Sequence, residues 1–169
     1  FLQTELIGRI DRDYRTTRPR MLAGSSRGAL FAVYAAVVAP SLFEAAFAHS
    51  PALWRENDLM VTRLQGALMG GALPAGLLYL SLGDQESEKM TASFRHAVTV
   101  LERHAPATLR WRADFSVGGQ HQSYPRLSTP VGLCVMFGGD QSCQGNGTRV
   151  TGRSLAAAQP VPAGRASRR

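Results

Sequence analysis

Between residues 2 and 137 the apolar residues follow two kinds of pattern, one typical of helices and one typical of strands. The two patterns alternate, which predicts an alternation of helices and strands. Apolar residues spaced three or four apart predict helices over residues 2–14, 26–38, 55–69, 87–104 and 126–137. Short apolar runs bounded by Gly, Pro or Ser predict buried strands over residues 20–24, 43–48 and 77–82. Residues 108–115 alternate apolar and charged side chains, which predicts a half-exposed strand at a sheet edge.

This order of elements predicts an α/β fold: a mostly parallel sheet of about four strands with helices on both faces. Ligands of such sheets bind at the carboxyl ends of the strands. Three loops leave those ends, at residues 24–28, 83–86 and 116–122. We therefore look for functional residues in these three loops.

The composition changes at residue 138. Residues 1–137 carry the periodic pattern and form the predicted domain, whereas 138–169 are rich in Gly, Ser, Gln, Ala, Pro and Arg and lack periodicity. Such a composition buries little apolar surface, so this segment is predicted to be a disordered basic tail.

Charge and cysteine content exclude several classes of protein. The net charge is +7, but five arginines and one aspartate in the tail account for +4 of it, leaving +3 for the domain. Because the positive charge is not concentrated in the domain, no nucleic-acid partner is predicted. No apolar run reaches the roughly 18 residues of a membrane span, so none is predicted. Cys134 and Cys143 lack metal-ligand spacing, and no metal or cofactor is predicted. Whether these two cysteines pair is left open.

The motif Gly24-x-Ser26-x-Gly28 lies between a predicted strand and a predicted helix. This context is typical of a nucleophile elbow, in which a serine is exposed at the tip of a strained turn. The strand and helix crowd the turn, so we expect side chains at both glycine positions to collide with backbone. The alternative is a glycine-rich turn with a serine that caps the helix.

A serine hydroxyl needs a base to become nucleophilic, and the base needs an orienting carboxylate. In α/β-hydrolases the chain order is serine, acid, histidine. Asp84 and Glu86 follow the third predicted strand, and His121 follows the fourth. Either acid would also suit the start of the helix near Ser87. His49 ends the second strand near the same edge, with no catalytic role apparent.

These motifs, with the opening helix, Pro40-Ser41-Leu42-Phe43 and Ser50-Pro51-Ala52-Leu53-Trp54, resemble the Putative esterase family of α/β-hydrolases over residues 1–137. The family includes esterase D-like, feruloyl and siderophore esterases. The resemblance implies a triad in which Ser26 is the nucleophile, His121 the general base and acid, and Glu86 the orienting acid. Glu86 is preferred to Asp84 because the family's acid falls three residues after the strand-ending glycine.

The resemblance also implies the surroundings of the triad. The backbone N–H of Arg27 would donate to the oxyanion, and Ser50 and Trp54 would line the substrate pocket. Simple core packing is the alternative for Trp54. Ser25 and Ala29 depart from the family pattern, which has a bulky residue before the serine and a second glycine after the first.

Only about 20 residues precede the strand of the elbow, where the family has several strands and a second oxyanion donor. We therefore expect an N-terminally truncated member whose open sheet edge permits self-association. Two hypotheses follow. The first is a carboxylic-ester hydrolase that acts on a small-molecule ester through an acyl-serine intermediate. The second is a catalytically inactive hydrolase remnant.

Overall fold

The computed structural model of the chain describes residues 1–73, 75–138, 143 and 147–151. Within these residues a π-helical turn over Leu2–Leu6 leads into the first of five helices: α1 Ile7–Asp13, α2 Arg27–Val38, α3 Leu59–Met69, α4 Glu88–His104 and α5 Tyr124–Gly138. The strands are β1 Met21–Ser25, β2 Ala45–His49, β3 Gly76–Gly83, β4 Leu109–Ser116 and β5 Gly147–Thr151.

The strands form one sheet in the order β1-β2-β3-β4-β5. Each pair from β1 to β4 is parallel, and β5 adds to β4 in the antiparallel direction. The predicted α/β class and the mostly parallel sheet are confirmed. Because the four strands are parallel, their carboxyl ends meet at one edge, which is where the three candidate loops leave the sheet.

Both faces of the sheet are covered, as the apolar strands predict. On one face Ala48 and Leu80 belong to the larger core cluster, together with apolar side chains of α2, α3 and α4. On the other face Phe47 and Tyr79, their chain neighbours, form a smaller cluster with Val135 of α5. The two clusters follow from the alternation of side chains along each strand.

The sequence also explains where α4 begins and ends. The hydroxyl of Ser87 accepts a hydrogen bond of 3.4 Å from the backbone N–H of Met90, which caps the helix. Glu88 lies in the first turn, and Arg103 and His104 lie in the last, where their signs complement the helix dipole.

The environment of β4 differs from the predicted edge strand. Its polar side chains Arg112 and Asp114 are buried, and β4 lies between β3 and β5. Arg112 Nε is 2.8 Å from Asp114 Oδ1, Arg112 Nη1 donates to the carbonyl of Cys143 at 2.9 Å, and the Tyr79 hydroxyl donates to Asp114 at 2.8 Å. Charged residues in a strand indicate exposure to solvent only when they have no partners in the protein interior. Here the partners are Tyr79 of the neighbouring strand β3 and the backbone carbonyl of Cys143, which is distant in the sequence.

The predicted disordered tail also contains structure. Gly147–Thr151 form β5, and a disulfide joins Cys134 of α5 to Cys143. Antiparallel pairing uses backbone groups alone, so it requires none of the side-chain periodicity that the tail lacks. The remainder of the predicted tail beyond α5, including residues 152–169, lies outside the described residues.

The helix predicted over residues 2–14 is present, but it does not pack its apolar side chains into the core. No residue of α1 is buried, and the apolar side chains of Leu6, Ile10 and Tyr14 are exposed. Within the described chain β1 pairs only with β2, so its other edge is open. No helix of the described ranges has the length and apolar character needed to cross a membrane.

The ring of His49, at the end of β2, is buried among hydroxyl groups. Its Nδ1 lies 2.9 Å from Ser81 Oγ of β3 and 2.7 Å from Ser128 Oγ of α5, and its Nε2 lies 3.1 Å from Thr129 Oγ1. The ring thereby joins two strands to the helix on the second face. Burial lowers the pKa of His49 to about 4, because desolvation disfavours the imidazolium.

This burial predicts a specific loss of stability in acid. The unfolded chain binds a proton at His49 near pH 6.5, whereas the folded chain binds it only near pH 4, so falling pH favours unfolding in that interval. Between pH 7 and pH 4 we expect the free energy of unfolding to fall by about 3 kcal/mol more in wild type than in His49→Gln. Urea unfolding followed by circular dichroism measures both slopes.

Equal pH slopes for the two proteins would contradict this expectation. An NMR titration of wild type provides a check that does not depend on the variant. The His49 ring nitrogens should report a neutral imidazole at about pH 5.5, where an ordinary histidine is mostly protonated.

Candidate active site

Ser26 lies in a sharp turn between β1 and α2, with φ 56° and ψ −114°. A positive φ is uncommon for a residue with a side chain and indicates local strain. The backbone of Ser26 is fixed on both sides. Its N–H donates to the carbonyl of His49 at 3.0 Å, and its own carbonyl accepts from the N–H groups of Leu30 and Ala52 at 3.0 and 3.2 Å. This is the geometry that the sequence predicted for an elbow.

The two glycines of the motif differ in what they contribute. A Cβ on Gly24 would lie 2.2 Å from the carbonyl oxygen of Gly28, so a side chain there collides with the first turn of α2. A Cβ on Gly28 would meet nothing within 4 Å. The expectation that both positions exclude side chains is therefore wrong for Gly28. Only Gly24, at the end of the strand, is crowded, because the helix begins directly over β1.

The predicted acid and the predicted base lie on neighbouring loops. Glu86 follows β3 and His121 follows β4, and Glu86 Oε2 lies 2.9 Å from His121 Nδ1. The side chain of Glu86 is 2% exposed and that of His121 is 42% exposed. A carboxylate on Nδ1 leaves Nε2 as the nitrogen available for chemistry. Among the described residues no hydrogen bond joins the Ser26 hydroxyl to His121.

Asp84 has a different partner from Glu86. Its Oδ1 accepts a 2.7 Å hydrogen bond from the backbone N–H of Gly118, and its own N–H donates to Ser116 at 2.9 Å. Asp84 therefore ties the loop after β3 to the loop after β4 and stays exposed. The choice between the two acids, which the residues alone left open, favours Glu86 as the partner of His121.

Close backbone contact between the same two loops was not predicted from the sequence. A Cβ on Gly83 would lie 2.1 Å from the carbonyl oxygen of Gly119, and a Cβ on Gly119 would lie 2.6 Å from the ring of Tyr124. Gln85 N–H also donates to Gly119 at 3.2 Å. The signal in the sequence was the pair Gly118-Gly119 just before His121, which allows this approach.

The two predicted substrate-binding residues are placed differently. Ser50 has no accessible surface and donates its hydroxyl to Glu86 Oε1 at 2.6 Å. A buried side chain offers a substrate no contact, so the structure does not support the predicted pocket role of Ser50. Trp54 is 40% exposed, which excludes simple core packing, and the guanidinium of Arg55 lies 5.5 Å from its ring centre.

A groove of about 300 Å³ begins beside the elbow, between α2 and the segment that leads into α3. Its lining combines an apolar floor with charged side chains: Arg27, Leu30, Phe31, Tyr34, Arg55, Glu56, Leu59, Met60 and Arg63. The three arginines form no ion pair with any described residue. The segment at its rim is strained, since Glu56, Asn57 and Asp58 all have positive φ.

The described residues contain no group of three or more His, Cys, Asp or Glu side chains placed to hold a metal ion. At this edge of the sheet the structure places the hydroxyl of Ser26, the imidazole of His121 and the carboxylate of Glu86. A parallel α/β sheet that presents these groups on successive loops at its carboxyl edge defines the α/β-hydrolase class.

The chain belongs to the family described as Putative esterase, whose sequence profile matches residues 1–125. Among curated proteins no relative was matched.

Several solved structures have a similar fold, and two of the three described here are named as hydrolases. The BES protein from Bacillus cereus is 21% identical with a TM-score of 0.72, over 79% of this chain and 51% of that one. The siderophore hydrolase EstB from Aspergillus nidulans is 16% identical with a TM-score of 0.69, over 88% and 58%. An IroE-like serine hydrolase from Shewanella oneidensis is 25% identical with a TM-score of 0.67, over 73% and 41%. The chain thus spans about half the length of these structures.

The elbow geometry predicts opposite outcomes for its two glycines. Gly24→Ala places a Cβ against backbone that cannot move without shifting α2, so we expect the free energy of unfolding to fall by about 3 kcal/mol or more. Gly28→Ala is the matched control. It adds a better helix former in open space, and we expect it to be neutral or to stabilise by up to about 1 kcal/mol. Urea unfolding compares the two, and equal destabilisation would contradict the elbow packing.

Proposed function

We propose that the chain carries the catalytic residues of a carboxylic-ester hydrolase, with Ser26 as nucleophile, His121 as general base and acid, and Glu86 as orienting acid. The observation that carries the proposal is the 2.9 Å contact of Glu86 with His121 Nδ1, on loops that leave the same sheet edge as the elbow. Family membership and the likeness to hydrolase folds support ester hydrolysis as the reaction class.

In the proposed first step the Ser26 hydroxyl oxygen attacks the ester carbonyl carbon, and His121 Nε2 takes the hydroxyl proton. The carbonyl oxygen becomes an oxyanion, for which the backbone N–H of Arg27, at the start of α2, is a donor. Helix N-termini favour such developing negative charge. The bond between carbonyl carbon and alcohol oxygen then breaks, and His121 returns the proton to the departing alcohol.

The second half of the reaction releases the acid. Water attacks the carbonyl carbon of acyl-Ser26, with His121 taking a water proton, and the bond to the Ser26 oxygen breaks as the proton returns to Ser26. Glu86 remains ionised throughout, because its role is to hold the imidazole and stabilise the imidazolium. Hydrogen bonds between a catalytic serine and its base often tighten only when substrate is bound, which fits the absence of a Ser26–His121 bond in the described residues.

The substrate class follows less directly from the residues. One of the similar structures, EstB, is named as a siderophore hydrolase, so siderophore esters are natural substrates to test beside simple chromogenic esters. We propose that the groove lined by Arg27, Arg55 and Arg63 receives the acyl or alcohol part of the ester. Its apolar floor and guanidinium rim suit an aromatic or aliphatic group that bears negative charge.

The nucleophile can be tested against its own neighbour in the sequence. A fluorophosphonate probe should label wild type and Ser25→Ala but not Ser26→Ala, because Ser25 belongs to β1 and only Ser26 occupies the turn. Hydrolysis of a chromogenic ester should fall at least about 10³-fold in Ser26→Ala alone. Labelling of Ser26→Ala would refute the assignment, and an unlabelled but folded wild type would favour the inactive alternative.

The two acids of one loop provide a second matched pair. Glu86→Gln removes the charge beside His121 and permits the wrong tautomer of the ring, so we expect kcat to fall about 10²- to 10⁴-fold. Asp84→Asn keeps an oxygen acceptor for the Gly118 N–H, and we expect kcat to change by less than about tenfold. Steady-state kinetics on both variants decide between the acids. A larger loss in Asp84→Asn would assign the triad acid to Asp84.

A further inference from the structure

The hydroxyl of Ser50 lies on the far side of the Glu86 carboxylate from His121. Ser50 Oγ donates to Oε1 at 2.6 Å, while Oε2 lies 2.9 Å from His121 Nδ1. Ser50 itself has no accessible surface and a φ of 48°. Its backbone N–H donates to the carbonyl of Ser81 at 2.7 Å, which prolongs the pairing of β2 with β3 by one residue. Each of these polar groups is therefore held in place by a hydrogen bond to another of them.

A carboxylate that is bonded through one oxygen alone can still rotate about its last bond. With both oxygens bonded, the plane of the Glu86 carboxylate is set, and with it the direction of the hydrogen bond to His121. Hydrogen bonds from hydroxyl groups to carboxylates are short and strong, and burial strengthens them further. The side chain of Glu86 is 2% exposed, so water does not replace the Ser50 hydroxyl.

The residues on either side of Ser50 hold the nucleophile. The carbonyl of His49 accepts from the Ser26 N–H at 3.0 Å, and the N–H of Ala52 donates to the Ser26 carbonyl at 3.2 Å. Residues 49–52 therefore contact both the backbone of the elbow and the carboxylate of the acid. A positive φ at Ser50 turns the chain between these two sets of contacts, and strain of this kind persists where surrounding contacts require it.

We propose that Ser50 is a positioning residue, which orients Glu86 for His121 and couples the acid to the elbow through residues 49–52. This inference rests on the proposed function and replaces the predicted pocket role of Ser50. It assigns to a buried hydroxyl a part in the reaction without contact with substrate.

The test compares variants that remove the hydroxyl with one that removes a similar hydroxyl elsewhere. Ser50→Ala and Ser50→Gly both lose it, but Gly accepts a φ of 48° without strain. Thr16→Ala is the control, since the hydroxyl of Thr16 donates to the carboxylate of Asp11 at 2.7 Å before β1, away from the three loops and the groove. In both Ser50 variants we expect kcat to fall about ten- to a hundredfold with KM unchanged, and in Thr16→Ala we expect no change in kcat.

A spectroscopic measurement separates positioning from catalysis. In a Ser26→Ala background, the proton resonance of His121 Nδ1–H, identified by its loss in His121→Gln, reports the bond to Glu86 without any turnover. It should shift or disappear in both Ser50 variants and persist in Thr16→Ala. This readout holds even if wild type hydrolyses no ester, in which case the proposed function fails and the positioning role stands.

Two outcomes would overturn the proposal. One is a Ser50→Gly variant with wild-type kcat and an unchanged His121 resonance, which would show that only the backbone turn is needed. The other is additivity of Ser50→Ala with Glu86→Gln in kcat, since a residue that acts through Glu86 should have little further effect once Glu86 is altered.

Discussion

The parallel pairing of β1 to β4 is the constraint on which the candidate site depends. Its register places Ser25, His49, Ser81 and Asp114 in one row across the sheet. At His49 this row is in contact with α5. Ser26 and Ser50 come one residue after this row, and Glu86 and His121 follow from the loops of β3 and β4. Because backbone hydrogen bonds set the row, four segments far apart in sequence reach one edge without long-range side-chain contacts.

Polar side chains dominate this row, although three of its four residues are buried and only Ser25 is exposed. His49, Ser81 and Asp114 are all buried, and each has hydrogen-bond partners on a neighbouring strand or on α5. An apolar row would have packed as well, but it would not have fixed the angle at which α5 meets the sheet. Satisfied polar groups specify a single arrangement more strictly than apolar contacts do. That arrangement matters because the loop carrying His121 leads directly into α5.

Apolar periodicity predicted the class of fold, the order of elements through α5, and the boundaries of most of them. It worked for β2 and β3 because their side chains are apolar on both faces. It was misleading for β4, where Arg112 and Asp114 resemble a solvated face but form a buried pair. Periodicity also carried no information about β5, since antiparallel addition to an edge depends on backbone groups. The disulfide of Cys134 with Cys143 could not be deduced, because two cysteines allow pairing without requiring it.

At the site, residue types and chain order were enough to nominate Ser26, Glu86 and His121, but not to say how each is held. The motif could not distinguish Gly24, which is crowded by backbone, from Gly28, which is not, because crowding depends on where α2 crosses β1. It could not distinguish a serine that lines a pocket from one that orients an acid, since both follow a buried strand. What separates these roles is solvent access, and Ser50 has none. Residues 49–52 contact both the backbone of Ser26, the proposed nucleophile, and the carboxylate of Glu86, the proposed acid, so a change in the turn at Ser50 alters two parts of the site together.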